Sequence, residues 1–254
     1  MPVENFKPIP VVPASRSRVM WAIRCFLDLQ LCTIVEHLQP AMAQLRGRML
    51  DIGAGQSPWK EYLPGGCVYQ GLDVQDAAEF GMSTRDDIAY YDGTVMPFPA
   101  GAFDSAICIE VMEHVPDPEA FLAEVARVLK PGAPLLLSVP WSARRHHVPH
   151  DYHRFTREQL AALLVRHGFA HIDIRERGND VGVIANKLLV LAIRMLRPST
   201  WPRGIWSLPL GVLVAAWAVL MVVAFHVSQR LGAGGVEDPL GYFVRATRAN
   251  DPAS

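Results

Sequence analysis

Cysteine is scarce and unpaired in this sequence. Cys25, Cys32, Cys67 and Cys108 are scattered, with no Cys-x-x-Cys among them. That argues against a disulfide framework or a thiolate metal site and fits free thiols in a reducing compartment. Charge is also scarce: 19% of the 254 residues are charged, 50% are hydrophobic, and the formal net charge is −1. No basic run interleaved with aromatics occurs, so nucleic acid is not an expected partner. The opening Met1 to Pro10 lacks the charged start and apolar core of a secretion signal, so the expected location is cytoplasmic.

What is present centres on Arg48 to Pro58, where a short apolar run ends at Asp51 and is followed by Gly53-Ala54-Gly55. The pattern reads as a buried parallel strand breaking into a tight turn that a ligand approaches closely. Val68 to Asp73 is a second short run ending in a carboxylate. Asp73 falls about 20 residues beyond Gly53, the separation suited to a ribose diol. A dinucleotide fingerprint needs a third glycine, and Pro58 stands there instead. That departure disfavours NAD. It suits a cofactor with a cationic end and no phosphate, of which S-adenosylmethionine is an example.

Leu50 to Gly55, Gly71-Leu72-Asp73, Asp92 to Pro99, Phe103 to Val115 and Glu124 to Gly132 together resemble the class I S-adenosylmethionine-dependent methyltransferases of the bacterial type 11-like group. The resemblance covers about residues 45 to 177 and resumes near Gly241; one departure is Ser57, where members often carry glycine. It implies an α/β fold: a doubly wound, mostly parallel, seven-stranded sheet with an antiparallel last strand. It implies S-adenosylmethionine as cofactor, held by Asp51, Gly53, Gly55, Asp73 and Glu110, with Asp92 and Met96 along the adenine. For Asp92, local sequence alone equally supports a turn residue before Gly93.

The order of elements follows from periodicity. Residues 1 to 14 carry four prolines and are expected to form an irregular arm. Ser15 to Leu45 has helical apolar spacing with Pro40 as its expected break, and reads as a helix covering a sheet edge. Strands are expected at Asp86–Tyr91, Phe103–Glu110, Pro134–Val139 and Ala170–Arg177, with helices from Pro118 to Leu129 and from a Thr156/Gln159 capping box to His167. The last strand is delayed to Tyr242–Thr247. The resulting division is 1–46 as arm and covering helix, 47–178 with 240–248 as the methyltransferase domain, and 179–239 as a hydrophobic insertion.

Ligands in open α/β sheets bind beyond the carboxyl ends of strands. Glu110, Glu113 and His114 follow the fourth strand, and the fifth is followed by His146, His147, His150, Asp151, Tyr152, His153 and Arg154. The stretch Pro149 to Thr156 resembles a segment that borders the acceptor pocket in this family. His114, His150, Tyr152 and His153 are therefore the candidate catalytic residues, with Arg154 a partner for an acceptor phosphate. The histidines match no standard ligand spacing, and no metal is assigned.

Within the insertion, Val181–Leu196 sets Lys187, Arg194 and Arg197 opposite Ile184, Leu188, Leu191 and Met195. Ile205 to Val227 contains no Asp, Glu, Lys or Arg. Because strands six and seven share one sheet, the chain crosses a membrane an even number of times or not at all. A helical pair embedded in one face of the membrane is the expected use; a homodimer interface and a spanning hairpin are the alternatives. The expected activity is methyl transfer to a small-molecule or lipid-linked acceptor, a lipid, quinone or lipid-linked glycan, at the inner face of the cell membrane. The competing readings are an NAD-dependent oxidoreductase and a membrane-targeted binding module without turnover.

Overall fold

The runs Arg48–Ile52 (β1), Val68–Val74 (β2), Ile88–Tyr91 (β3), Ser105–Ile109 (β4) and Pro134–Pro140 (β5) pair in parallel in the computed structural model, which describes residues 11, 14–75, 84–198 and 201–250. All five residues of β4 are buried, as a central strand covered on both faces requires. Phe169–Arg177 (β6) and Gly241–Arg248 (β7) complete a seven-stranded sheet of order β3-β2-β1-β4-β5-β7-β6. The Arg248 amide donates to Ala133 O before β5, and the Ala249 amide to Gly168 O before β6. The end of β7 thus meets the beginnings of both neighbours, and β7 runs antiparallel to them. The expected sheet is the observed one.

Pro118–Val128 (α3) and Arg157–Arg166 (α4) bury Phe121, Leu122, Val125, Leu160 and Leu164 in a core shared with Leu50, Phe103, Ala106, Leu135 and Leu137. Each fully buried leucine is worth about 2 kcal/mol. Asp117 caps α3, accepting the Glu119 and Ala120 amides, with Pro118 in the first turn. Thr156 caps α4 through the Gln159 amide at 3.1 Å.

The first helical stretch departs from expectation. It is two helices, Arg18–Leu27 (α1) and Leu29–Met42 (α2), broken at Asp28, while Pro40 sits inside α2. Asp28 Oδ1 accepts the Leu31 amide at 3.2 Å, an N-cap bond that starts a new helix. Pro40 lacks the amide that would reach back to Glu36 O, and α2 ends two residues later at Met42. Of the expected proline-rich arm, all but Val11 and Ala14 lies outside the described residues.

The chain divides into two compact units, one of Met1–Arg18, Glu36–Arg175 and Tyr242–Ser254, the other of Val19–Val35 and Glu176–Gly241. In the second, Asp180–Met195 (α5) and Trp201–Leu231 (α6) form an antiparallel hairpin. A Cβ on Gly211 would lie 3.0 Å from Met195 Cβ, and one on Gly182 would lie 2.7 Å from Phe225. The buried face of α6 comprises Gly204, Ser207, Gly211, Ala218, Val222, Phe225 and Ser228, a mostly small-residue seam of the kind that lets helices approach closely. Asn179 closes the base, its amide donating to Ser228 Oγ at 2.9 Å and Ala233 O at 2.8 Å. Outward stand Ile205, Trp206, Val212, Leu213, Trp217 and Leu220, each more than half exposed. By length and composition alone, Arg203–Leu231 is a helix able to cross a membrane.

Candidate active site

After β1 the backbone turns through Gly53 at φ +72° and Gly55 at φ +51°. The amides of Gly53 and Ala54 both donate to Leu72 O, at 2.8 and 3.0 Å, drawing the turn over the end of β2. A Cβ on Gly53 would stand 2.3 Å from Val111 Cγ2. Any side chain at this position would collide with Val111. Asp73, half-buried beside it, accepts the Gly55 amide on Oδ2 and the Val74 amide on Oδ1, both at 2.8 Å. Burial pushes its carboxyl above the ordinary range although these two amides oppose the shift. Each oxygen keeps acceptor capacity for a hydroxyl. Asp73→Ala is expected to weaken S-adenosylmethionine binding by about 5- to 150-fold, the equivalent of roughly 1–3 kcal/mol for unpaired ribose hydroxyls. Calorimetric titration measures this, and an unchanged Kd would refute the role.

Asp51 is 1% exposed, and its Oδ2 accepts the Tyr69 hydroxyl at 2.7 Å. That hydroxyl lies 2.8 Å from Ser57 Oγ, so one network ties β1, β2 and the glycine turn together. The β1–β2 register pairs Met49 with Tyr69, which places Tyr69 and Asp51 on one face. Burial raises the Asp51 carboxyl to about 7, the Tyr69 bond opposing and the Asp73 charge adding to the rise. Asp92 is exposed and accepts the Thr94 amide at 2.9 Å and hydroxyl at 2.6 Å, the geometry of a turn residue. Met96 is buried in the core of the first unit, its amide donating to Glu124 Oε2 at 2.8 Å.

Glu110 adopts φ +56°, uncommon for a residue with a side chain, and its Oε1 accepts the Ser138 hydroxyl at 2.8 Å. A single 3-10 turn, Met112–His114, follows. The histidine loop is tied to this turn: the amides of Tyr152 and His153 donate to Glu113 O at 2.9 and 3.2 Å. His114 Nδ1 lies 2.7 Å from His150 O. The rings of His114 and His146 meet edge to face at 4.8 Å, and His150 Nδ1 lies 3.2 Å from the Tyr152 hydroxyl. Thus His114, His150 and Tyr152 are brought together beyond β4 and β5. His153 turns its ring to Phe155 at 5.2 Å and buries Nε2 without a hydrogen-bond partner among the described residues.

Burial drives the His114 imidazole down to about 4, with the His146 charge adding to the shift. It is therefore neutral near pH 7 and a weak base. Glu113, wholly buried, is pushed well above the carboxylate range by burial and by the nearby Glu110 charge. Arg154 differs from expectation. Asp151 Oδ1 and Oδ2 accept its guanidinium at 2.6 and 2.9 Å, and the His153 and Arg144 carbonyls take further donors. With a carboxylate three residues earlier matching its charge, Arg154 is a loop brace rather than a phosphate hand. Despite burial, the bonds from His146 and Arg154 hold the Asp151 carboxyl below its ordinary range.

A glycine turn backed by Val111, a carboxylate on the next strand and a cluster of polar side chains beyond β4 and β5 fit an adenosine cofactor without pyrophosphate. A family model described as a methyltransferase domain matches residues 24–174. The chain belongs to the class I S-adenosylmethionine-dependent methyltransferases. Among curated relatives of this methyltransferase is a ubiquinone biosynthesis O-methyltransferase of Xanthomonas oryzae, 35% identical over 100 residues, 36% of this chain and 42% of that protein. A probable chloroplastic tocopherol O-methyltransferase of rice (Oryza sativa) is 41% identical over 107 residues, 38% of this chain and 29% of that protein. These matches span less than half of either relative's length. A methyltransferase from Archaeoglobus fulgidus shares the fold at TM-score 0.51 and 16% identity, over 90% of this chain and 99% of that one. The cyclase SpnF does so at 0.51 and 19%, over 97% of this chain and 100% of that one.

Three features of the site were not legible as motifs. Tyr69 is, in the sequence, one residue of a short strand, yet its hydroxyl binds Asp51. Ser138 was one residue of an apolar strand, yet it fixes Glu110. The meeting of Glu113 with His146 joins positions 33 apart in the chain, and no local spacing encodes it.

Proposed function

We propose that this methyltransferase works at the inner face of a membrane and transfers methyl to a hydroxyl of a lipid or quinone-type acceptor. The observation that carries the reading is the outward face of α6, where apolar side chains more than half exposed surround a seam of small buried residues. Soluble proteins rarely leave so continuous an apolar face uncovered, and lipid is the solvent that suits it. The relatives named for ubiquinone biosynthesis and for tocopherol, both O-methyltransferases, support a hydroxyl on a hydrophobic ring as acceptor.

The sulfonium cofactor supplies a methyl group that is already electrophilic. The chain's own task is to bind, align and exclude water. Asp73 and the Gly53–Gly55 turn hold the adenosine and methionine ends, Asp51 stiffens that turn through Tyr69, and Glu110 closes the floor beyond β4. The acceptor lies against the loop of His150, Tyr152 and His153. His114, a weak base, orients the loop through His150 O. His150, hydrogen-bonded to Tyr152, is the group placed to take the hydroxyl proton.

Incubating the purified chain with a membrane lipid extract and methyl-labelled S-adenosylmethionine tests the assignment. Label should pass into the organic phase and be retained through mild alkali, as an ether methyl is and an ester methyl is not. Label confined to water-soluble products would refute the hydrophobic acceptor.

A further inference from the structure

Glu113 is 0% exposed, and neither of its carboxylate oxygens has a hydrogen-bond partner among the described residues. A buried polar group in that condition is costly to leave unmatched. Facing its Oε1 are His114 Nε2 at 3.6 Å and His146 Nε2 at 3.9 Å. Those separations are too long for hydrogen bonds. They do suit atoms that share an ion, since ligands held at roughly 2.0–2.2 Å from a centre lie about 3–4 Å from one another.

The orientation of the two rings points the same way. His114 Nδ1 meets His150 O at 2.7 Å and His146 Nδ1 meets Arg144 O at 3.0 Å. A carbonyl only accepts, so both hydrogens reside on Nδ1, and both Nε2 atoms present lone pairs to the buried carboxylate. Two ring nitrogens directed at a wholly buried carboxyl that has no hydrogen-bond partner among the described residues form an arrangement that a bound cation would complete. Outer hydrogen bonds of this kind, from the far nitrogen to a backbone carbonyl, set the tautomer and direction of metal-bound histidines.

We propose that Glu113, His114 and His146 hold one divalent transition-metal ion. Two imidazoles and one carboxylate make a borderline donor set that takes zinc, manganese or ferrous iron in preference to calcium or magnesium. Three protein ligands leave a coordination position open, the pattern of a centre that also binds a reactant. Resting on the proposed hydroxyl acceptor, that position receives the acceptor oxygen. Coordination lowers the hydroxyl pKa, its proton leaves to solvent or to His150, and the resulting oxyanion forms the new O–C bond. The C–S bond breaks, and its electron pair stays on sulfur in S-adenosylhomocysteine.

The test uses the intact chain in detergent, stripped with chelator and titrated with zinc chloride and then with manganese chloride, with elemental analysis after desalting. One equivalent of zinc per chain is expected. Glu113→Gln keeps shape but removes the charge and should lower zinc affinity on the order of 100-fold or more. Because Glu113 is fully buried, His146→Ala in the half-buried loop serves as the second variant, with the same loss expected. S-adenosylmethionine affinity in the absence of metal reports that each variant is folded. Failure of the intact chain to retain zinc or manganese, or equal retention by folded His146→Ala, overturns the site. These readouts involve no acceptor, so failure of the hydrophobic-acceptor reading leaves them standing, and the reverse also holds.

Discussion

Gly53→Ala is expected to weaken S-adenosylmethionine binding by more than 100-fold and to lower the melting temperature of the chain. Two penalties combine. At φ +72° an alanine sits in the left-handed region, costing about 1–2 kcal/mol. Its Cβ would also stand 2.3 Å from Val111 Cγ2, well inside van der Waals contact. Valine is branched at Cβ and has few alternative rotamers, so the neighbour yields only by moving the turn or the segment after β4. Either movement displaces the Gly55 amide that Asp73 accepts at 2.8 Å. A loss of about 3 kcal/mol corresponds to roughly 150-fold in Kd. Adding Val111→Ala removes the two shortest contacts, leaving Cβ at 3.3 Å and the backbone strain, so the double variant should recover part of the affinity. Calorimetry on the wild type and these two variants separates the two penalties, and wild-type affinity in Gly53→Ala would show that the turn does not approach the cofactor.

The same turn shows what a sequence can disclose. Gly-x-Gly after an apolar run and a carboxylate one strand later is a local pattern, and each part follows from backbone sterics: φ is positive at both glycines, and Asp73 stands at the strand end. The strands were equally legible, because parallel strands covered on both faces read as apolar runs. The break in the first helix was not, because it depended on whether Asp28 or Pro40 ended a turn. Apolar spacing continues through both. Asp28 wins because its side chain offers the next helix a cap, whereas Pro40 lies where α2 is about to end.

Charge pairing and ligand sets were the least legible features. Arg154 reads in the sequence as a partner for an acceptor phosphate, since the sequence does not say which way a loop carboxylate turns; the folded loop gives it Asp151. The spacing of His146, His147, His150 and His153 matched no metal motif, and spacing rules work where ligands share one helix or one turn. Here two groups come from the turn after β4 and one from the loop after β5, joined because the amides of Tyr152 and His153 bind Glu113 O. The ordering of the sheet, not the local sequence, makes them neighbours.

Replacing Leu213, Trp217 and Leu220 together by glutamate should release the protein from membranes without changing its affinity for S-adenosylmethionine. These three positions lie on one exposed face of α6 and are 62%, 62% and 56% exposed. A charged side chain in hydrocarbon is unfavourable by about 3 kcal/mol where leucine is favourable by a few tenths, so three substitutions outweigh most of what one apolar face contributes. The buried seam of Gly204, Ser207, Gly211 and Ala218 is untouched, which keeps α5 and α6 packed. The lengths of the arms favour a hairpin embedded from one side over a spanning one. With 16 residues, α5 measures about 24 Å against a hydrocarbon core of about 30 Å. Both arms return to the base at Asn179, whose amide binds Ser228 Oγ and Ala233 O. The intact chain should therefore sediment with vesicles at high salt and float with them in a gradient, and a protease added from outside should never cleave the segment between α5 and α6 from the far leaflet. If the intact chain instead stays in solution as a dimer and the glutamates convert it to monomer, the apolar face is a subunit interface and the membrane reading falls.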